Sequence, residues 1–403
     1  MKKLLLLGGS RYILPVIEIA HKLDCYVITC DYLPDNIAHK FSDEYLNISI
    51  IDKEAVLKVA EEIGIDGIMS FACDPGVVTA SYVAEKMGLP FQCSYESAKI
   101  LQDKGLFRQF LTENGFNAPH ARRYTDINAP FSDIDFFTWP VIVKPVDSAG
   151  SKSITKAETP EDLGKAIETA LNGSHSSAFV IEDYLTFEGY HSSTDAFVVD
   201  GKLKFITYSD HMFDKDAENP YTPTIIIWSS TMKQEYQDYL TAETQRLIDL
   251  LRLDTGIYNI ETCVGSDGKP YLMEISPRGG GGKIADLQDM AFNTNLVENE
   301  IRKAVGMPLT EIKQTECNGY WCKMVIHARA GKTGIFNHME IDSEIREKYI
   351  KLIDTDIRKG DMVYSFTGAN RALGDMFLKF SSREELNNII EKENEWLIIK
   401  LNL

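Results

Sequence analysis

At 403 residues, the chain is too long for one ordinary hydrophobic core and implies two to four domains. Its 44% hydrophobic and 25% charged residues describe a globular protein, and no apolar run is long enough to span a bilayer. The net charge of −18 argues against nucleic acid or anionic membrane as partner, so any cations serving a phosphorylated ligand must be clustered locally.

The first 95 residues alternate strand and helix. Leu4–Leu7, Tyr26–Cys30 and Gly67–Ser70 read as apolar strands, and Val16–Leu23, Ala55–Ile63 and Val77–Met87 as helices, the last stopped by Gly88 and Pro90. The rhythm implies a parallel, doubly wound sheet. The opening basic pair and four leucines form a buried first strand rather than a signal peptide, so a cytoplasmic location is expected. Gly8-Gly9-Ser10 and Asp31 follow the first two strands, at the edge where such sheets bind ligands. The glycine turn could cradle a carboxylate or phosphate, with Arg11 beside it, or could simply allow tight packing. Seven cysteines without a CxxC pair suit neither a zinc site nor a disulfide framework.

Ser97–Asn114 reads as one helix with Lys104 and Arg108 a turn apart. The strand Trp139–Pro145 then presents Lys144, whose burial is costly unless it meets an anion. A loop of small hydroxyl residues, Asp147–Ser153, follows with Ser148, Gly150, Ser151 and Lys152. It has the backbone amides and charge of a phosphate lid, although it is not a Walker loop. Next come a helix (Glu161–Leu171), strands Ala178–Leu185, Ser193–Val199 and Lys202–Ser209, and an amphipathic helix, Gln234–Leu251.

Two strands then carry the most informative pattern. Tyr258–Cys263 holds Glu261, and Lys269–Ser276 holds Glu274, with a turn at Ser266–Lys269 between them. Side chains alternate along a strand, so both acids can share one face and form a hard-oxygen site suited to Mg2+. The plain alternative is a hairpin bearing two solvated acids. Arg278 and the run Gly279–Gly282 follow, a planar donor for phosphoryl charge and a backbone open to close approach. Beyond residue 310 the expectation is a small α+β module, with strands Tyr320–Ala328, Asp361–Tyr364 and Ala372–Phe380 and a helix at Arg383–Ile390.

The ordered set Asp103-Lys104, Val143-Lys144-Pro145, Ser148–Ser151, Glu182–Leu185, Asn259–Glu261 and Glu274–Arg278 resembles the ATP-grasp superfamily of carboxylate–amine and carboxylate–thiol ligases. The resemblance implies a multidomain α/β and α+β fold. Its parts are a Rossmann-like parallel sheet (1–95), a two-lobed ATP-grasp domain (96–310, small lobe about 120–185) and a C-terminal α+β domain (311–403). It implies Lys104 and Lys144 on the ATP phosphates, and Ser148, Gly150 and Ser151 in the lid. Glu182, Tyr184 and Leu185 fall at adenine, and Glu188 at ribose with His191 as its alternative. Glu261 and Glu274 fall on Mg2+ or Mn2+, and Arg278, Lys144 and Lys152 act in catalysis. Ser276 replaces the family's usual Asn and would be a weaker metal ligand.

The implied activity couples a small-molecule carboxylate to an amine with release of ADP and phosphate, and a homodimer is a family-level expectation. A glycinamide ribonucleotide synthetase is the alternative within this chemistry. Its Arg-x-Gly-Asp-Pro-Glu segment, however, is not matched by Arg278–Gly282. A non-catalytic ATP sensor is the alternative outside it. Asp210–Thr224 and Ser70–Gly76 read as the variable substrate loops.

Overall fold

The structure is a computed structural model describing every residue except Ala149, Ser151, Tyr190, Pro220 and Leu403, and the side chain of Ala369. Ser151, expected in the lid, therefore lies outside the described residues. The N-terminal sheet is parallel, with strand order Glu44–Leu46, Cys25–Cys30, Lys2–Leu7, Gly67–Ser70. Leu4–Leu7 are almost fully buried, as a strand covered on both faces requires. Helices Leu14–Lys22, Lys53–Ile63 and Val77–Met87 flank it, and Gly64 and Gly88 end the latter two in the left-handed conformation.

The expected helix over 97–114 is two helices, Tyr95–Gln102 and Lys104–Glu113. Asp103 breaks the run. Its backbone is extended, and its carboxylate accepts from the amides of Gly105 (2.9 Å) and Leu106 (3.0 Å), capping the second helix. Lys104 thus stands at the first turn of a new helix, where the small lobe joins. That lobe is an antiparallel sheet ordered Ala121–Tyr124, Phe179–Asp183, Val141–Pro145, Thr155–Ala157, backed by the helix Leu163–Asn172.

The large lobe is built on the antiparallel order Lys202–Phe205, Ser192–Val199, Gly256–Val264, Pro270–Ser276. Two helices not expected from the pattern, Ile284–Phe292 and Leu296–Ala304, follow the glycine run. The C-terminal part is a five-stranded sheet ordered Asp210–Phe213, Pro223–Trp228, Tyr320–Ile326, Gly374–Phe380, Ile350–Thr355. A smaller sheet adds Met362–Val363, Gly334–Ile341 and Leu397–Asn402. The stretch expected to be a substrate loop, Asp210–Thr224, holds the first of these strands and the start of the second. Asp210–Phe213 pairs with Pro223–Trp228, which in turn pairs with Tyr320–Ile326, nearly a hundred residues later in sequence.

One face of this sheet (Ile225, Ile227, Cys322, Met324, Met376, Leu378) packs beneath its own helix Arg383–Glu391. The opposite face looks into the molecule. All seven cysteines are free, and among the described residues no helix is long and apolar enough to cross a membrane.

Candidate functional site

Glu261 and Glu274 are direct partners across the antiparallel strands Gly256–Val264 and Pro270–Ser276. Their side chains leave the same face. A bulge follows immediately, skipping Met273, whose freed carbonyl accepts from Arg108 Nη1 at 2.7 Å. Both acids line a cleft of about 430 Å3 enclosed by the two lobes, the N-terminal domain and the inner face of the C-terminal sheet. Lys104, Lys144, Ser148, Gly150, Lys152 and Arg278 line the same cleft. The structure thus brings together eight of the residues singled out from the sequence.

Their electrostatics follow from crowding. Glu261 is open to the cavity yet packed deep in the protein. This desolvation, followed by the neighbouring Glu274 carboxylate, pushes its carboxyl up to about 7. Lys104 donates to the carbonyl of Ser148 (3.1 Å) and pairs with Glu274 (3.0 Å). Burial works to lower its ammonium, but Glu274, Asp74 and Glu261 outweigh it and leave it raised. Lys144 is buried and its ammonium is lowered by desolvation, despite Glu182 at 2.5 Å. Glu182 lies diagonally across the small-lobe sheet and also accepts from Arg108 Nε at 2.9 Å. Lys152 is exposed at the cleft and has no ion-pair partner among the described residues.

Arg278 is held by Asp74, accepting from Nε at 2.9 Å and from Nη2 at 2.7 Å, while Nη1 donates to the carbonyl of Gly279. Burial opposes the guanidinium charge, and Asp74 outweighs it. Of its five N–H groups, two remain for a ligand. The glycine run behind it is fixed by Asp195, which accepts the amide of Gly280 (2.8 Å) and the side-chain amide of Asn259 (2.9 Å). A Cβ at Gly280 would meet both of these side chains within 2.9 Å, so glycine is needed there.

Residues 137–286 match the family model of the ATP-grasp domain. The chain carries an ATP-grasp domain. A curated relative, the formate-dependent phosphoribosylglycinamide formyltransferase of Synechococcus sp. (strain RCC307), is 25% identical over 339 residues, covering 82% of each chain. The L-amino acid ligase from Bacillus licheniformis superposes with a TM-score of 0.81 at 17% identity, covering 100% of this chain and 99% of that one. The biotin carboxylase domain of the 2-oxoglutarate carboxylase of Hydrogenobacter thermophilus, solved as a dimer with MgADP, ADP and bicarbonate, gives 0.74 at 15% identity, covering 99% and 91%. Both superpositions show that the likeness in fold runs over essentially the whole chain.

Other expected residues of the ATP-grasp domain lie outside the cleft lining. The Ser276 hydroxyl donates to Asp74 (2.8 Å) and accepts from Gln102 (2.7 Å), and its side chain is buried between them. Its register on the acid face is right, but its hydroxyl is held in this network and does not line the cleft. Glu182 is likewise committed to Lys144 and Arg108 rather than free for a base. The Tyr184 amide donates to the Pro140 carbonyl (3.0 Å), and its half-buried ring carries the Lys156 ammonium at 4.5 Å. Leu185 is half-buried beside it. Glu188 is exposed, paired with Lys233 at 3.4 Å, on a separate small cavity of about 120 Å3.

The turn Gly8–Ser10 is a packing turn rather than an open cradle. A Cβ at Gly9 would sit 2.6 Å from the His39 ring, and Arg11 pairs with Asp354 at 2.6 Å. Asp74 and Asp195 were missed as participants because their partners lie far away in sequence, and Asn259 was noted only as part of the segment that carries Glu261. His211, also missed, lines the cleft and shares a hydrogen bond with Ser193 Oγ (2.8 Å), and burial pushes its imidazole down to about 3, keeping it neutral.

Lys152→Ala is expected to raise KM for ATP about tenfold with a smaller change in kcat, because an exposed lysine acts on ground-state phosphate binding. Steady-state ADP release over an ATP titration reads this.

Proposed function

We propose that the protein is an ATP- and Mg2+-dependent ligase that activates a carboxylate as an acyl phosphate and couples it to an amine, releasing ADP and phosphate. The observation that carries this reading is the Glu261–Glu274 pair facing Lys104, Lys144, Lys152 and Arg278 across one cleft. A carboxylate oxygen attacks the γ-phosphorus while the bond to the ADP oxygen breaks. The amine nitrogen then attacks the acyl carbon, phosphate leaves, and the amine loses a proton. No protein nucleophile is required.

Among the described residues no three His, Cys, Asp or Glu side chains converge as a complete metal cage. Two crowded carboxylates instead suit a Mg2+ that completes its shell with triphosphate oxygens and water. When bound, Mg2+ offsets charge on the transferring phosphoryl group. On this reading Lys104 and Lys144 hold the phosphates from separate elements, and Lys152 covers them. The two free donors of Arg278 orient the carboxylate against the γ-phosphate. The bound ADP of the biotin carboxylase neighbour supports a nucleotide in this fold. The relatives' name supports the same chemistry, since formate is itself a carboxylate. Formyl transfer to a phosphoribosyl amine is therefore the second reading.

The test is ADP and phosphate release over a panel of carboxylate and amine pairs, with the product mass measured. ATP binding without stimulation by any pair would instead favour a nucleotide sensor. A pH dependence follows from Glu261. Below about pH 7 its carboxyl is protonated and must lose that proton for a cation to bind. The Mg2+ concentration for half-maximal activity should therefore rise up to about tenfold per pH unit below 7 and level off above it. A Mg2+ requirement that is flat between pH 6 and 8 would count against this role.

A further inference from the structure

The half of the cleft walled by the C-terminal sheet is built differently from the lysine side. Across the inward sheet face, His211 stands opposite Ile226, Ile226 opposite Lys323, and Val325 opposite Asp375. Tyr12, Ile226, Ile284, Val325, Phe366 and Ala372 supply its apolar surface.

The cations on and just behind this wall each lie within ion-pair distance of a carboxylate, although Arg11 Nη1 makes no hydrogen bond among the described residues. Lys323 lies 3.0 Å from Asp375, Lys283 lies 3.1 Å from Asp354, and Arg11 lies 2.6 Å from Asp354 and 3.6 Å from Asp356. Three cations meet three carboxylates, leaving no excess positive charge for a dianion. Lys323 is within ion-pair distance of Asp375 but out of line for hydrogen bonding, and neither Asp375 oxygen has a hydrogen-bond partner among the described residues. A phosphate placed here would therefore meet an under-satisfied carboxylate. Arg371, the other cation nearby, stacks on Tyr364 at 4.2 Å instead of lining the cleft, and Asn370 faces in. The Thr222 hydroxyl lines the cleft without a partner among the described residues, offering one neutral polar contact.

We infer, resting on the ligase reading above, that the substrate filling this half of the cleft is a carboxylic acid with an aliphatic or aromatic body and no phosphate group. This differs from the phosphoribosyl compound in the relatives' name.

The experiment traps the acyl phosphate with hydroxylamine, so the natural amine need not be known. Hydroxylamine nitrogen attacks the acyl carbon, phosphate departs, and a hydroxamate forms with loss of a proton. The full chain with ATP and Mg2+ is given branched aliphatic acids, aryl-substituted acids, free hydrophobic amino acids, short hydrophilic acids or formate. A separate arm adds a phosphoribosyl amine with formate. The expected result is hydroxamate and ADP formation at least tenfold faster with the apolar acids. Stimulation confined to the phosphoribosyl arm would overturn the inference while leaving the ligase reading intact. ADP release unresponsive to every acid would sink both.

A second measurement uses Val325→Thr, which keeps side-chain volume. KM for the apolar acid should rise about tenfold, with KM for ATP within twofold. An unchanged KM for the acid would remove Val325 from the subsite and the inference with it.

Discussion

Glu274→Ala is expected to abolish Mg2+-dependent ADP release, with a loss of at least about 10^3-fold in kcat. A correctly held metal is worth several kcal/mol of transition-state stabilisation, and tenfold corresponds to about 1.4 kcal/mol. Glu274 also partners Lys104 at 3.0 Å, so its removal frees a buried cation from the site's acid pair. Glu261→Gln separates these contributions. Glu261 has no ion-pair partner among the described residues, and its carboxyl is raised to about 7 by burial and by Glu274. Above pH 7 its charged form is disfavoured in the folded protein, so the amide should leave the thermal midpoint no lower than that of the parent. Activity should fall as far as in Glu274→Ala. If either variant retained parental Mg2+-dependent ADP release at pH 8, the acid pair would not be the metal site.

This acid pair was legible in the sequence because its causes are local. A glycine-containing turn at Ser266–Lys269 joins two alternating strands that each carry one acid, and the one-residue bulge at Met273 shifts the register so that Glu261 and Glu274 share a face. The N-terminal parallel sheet was legible for the same reason, through four unbroken leucines and capped helices.

What local pattern could not reveal depends on long-range packing. Asp74 reaches Arg278 from 204 residues away, and nothing around it distinguishes it from a turn acid. Asp210–Thr224 reads as a variable substrate loop, but it holds the strand Asp210–Phe213 and the start of Pro223–Trp228. The second strand is placed by its pairing with Tyr320–Ile326, which lies outside any local window. That sheet brings His211, Ile226, Lys323, Val325 and Asp375 onto one inward face, so the second wall of the cleft was invisible as a unit. Ser276 shows the converse limit. Its spacing from Glu274 matches a metal ligand, but the neighbouring Asp74 and Gln102 decide what its hydroxyl binds.

The largest stability effect is expected at Glu182. This buried carboxylate joins Lys144 Nζ at 2.5 Å and Arg108 Nε at 2.9 Å, tying the small lobe to the helix Lys104–Glu113. Burial alone would raise its carboxyl, but Arg108 and then Lys144 outweigh that and hold it down at about 2. Glu182→Gln leaves two buried cations without an anion, an arrangement that costs about 3–5 kcal/mol. Lys144→Met is the informative contrast. It leaves Glu182 paired with Arg108 and removes a lysine whose ammonium is already disfavoured by burial, so its stability cost should be much smaller while ATP turnover collapses.

The pH behaviour carries the same sign. Between about pH 4.5 and 2 the unfolded chain binds a proton at this position that the folded chain does not. The contribution of Glu182 is therefore complete above pH 4.5 and fades as pH falls toward 2. Urea unfolding of parent and Glu182→Gln, with hydrogen exchange read over the strands Val141–Pro145 and Phe179–Asp183, should show a gap at pH 7 that narrows below pH 4. A constant gap down to pH 2.5 would mean that the glutamate supports the lobe by shape rather than by charge.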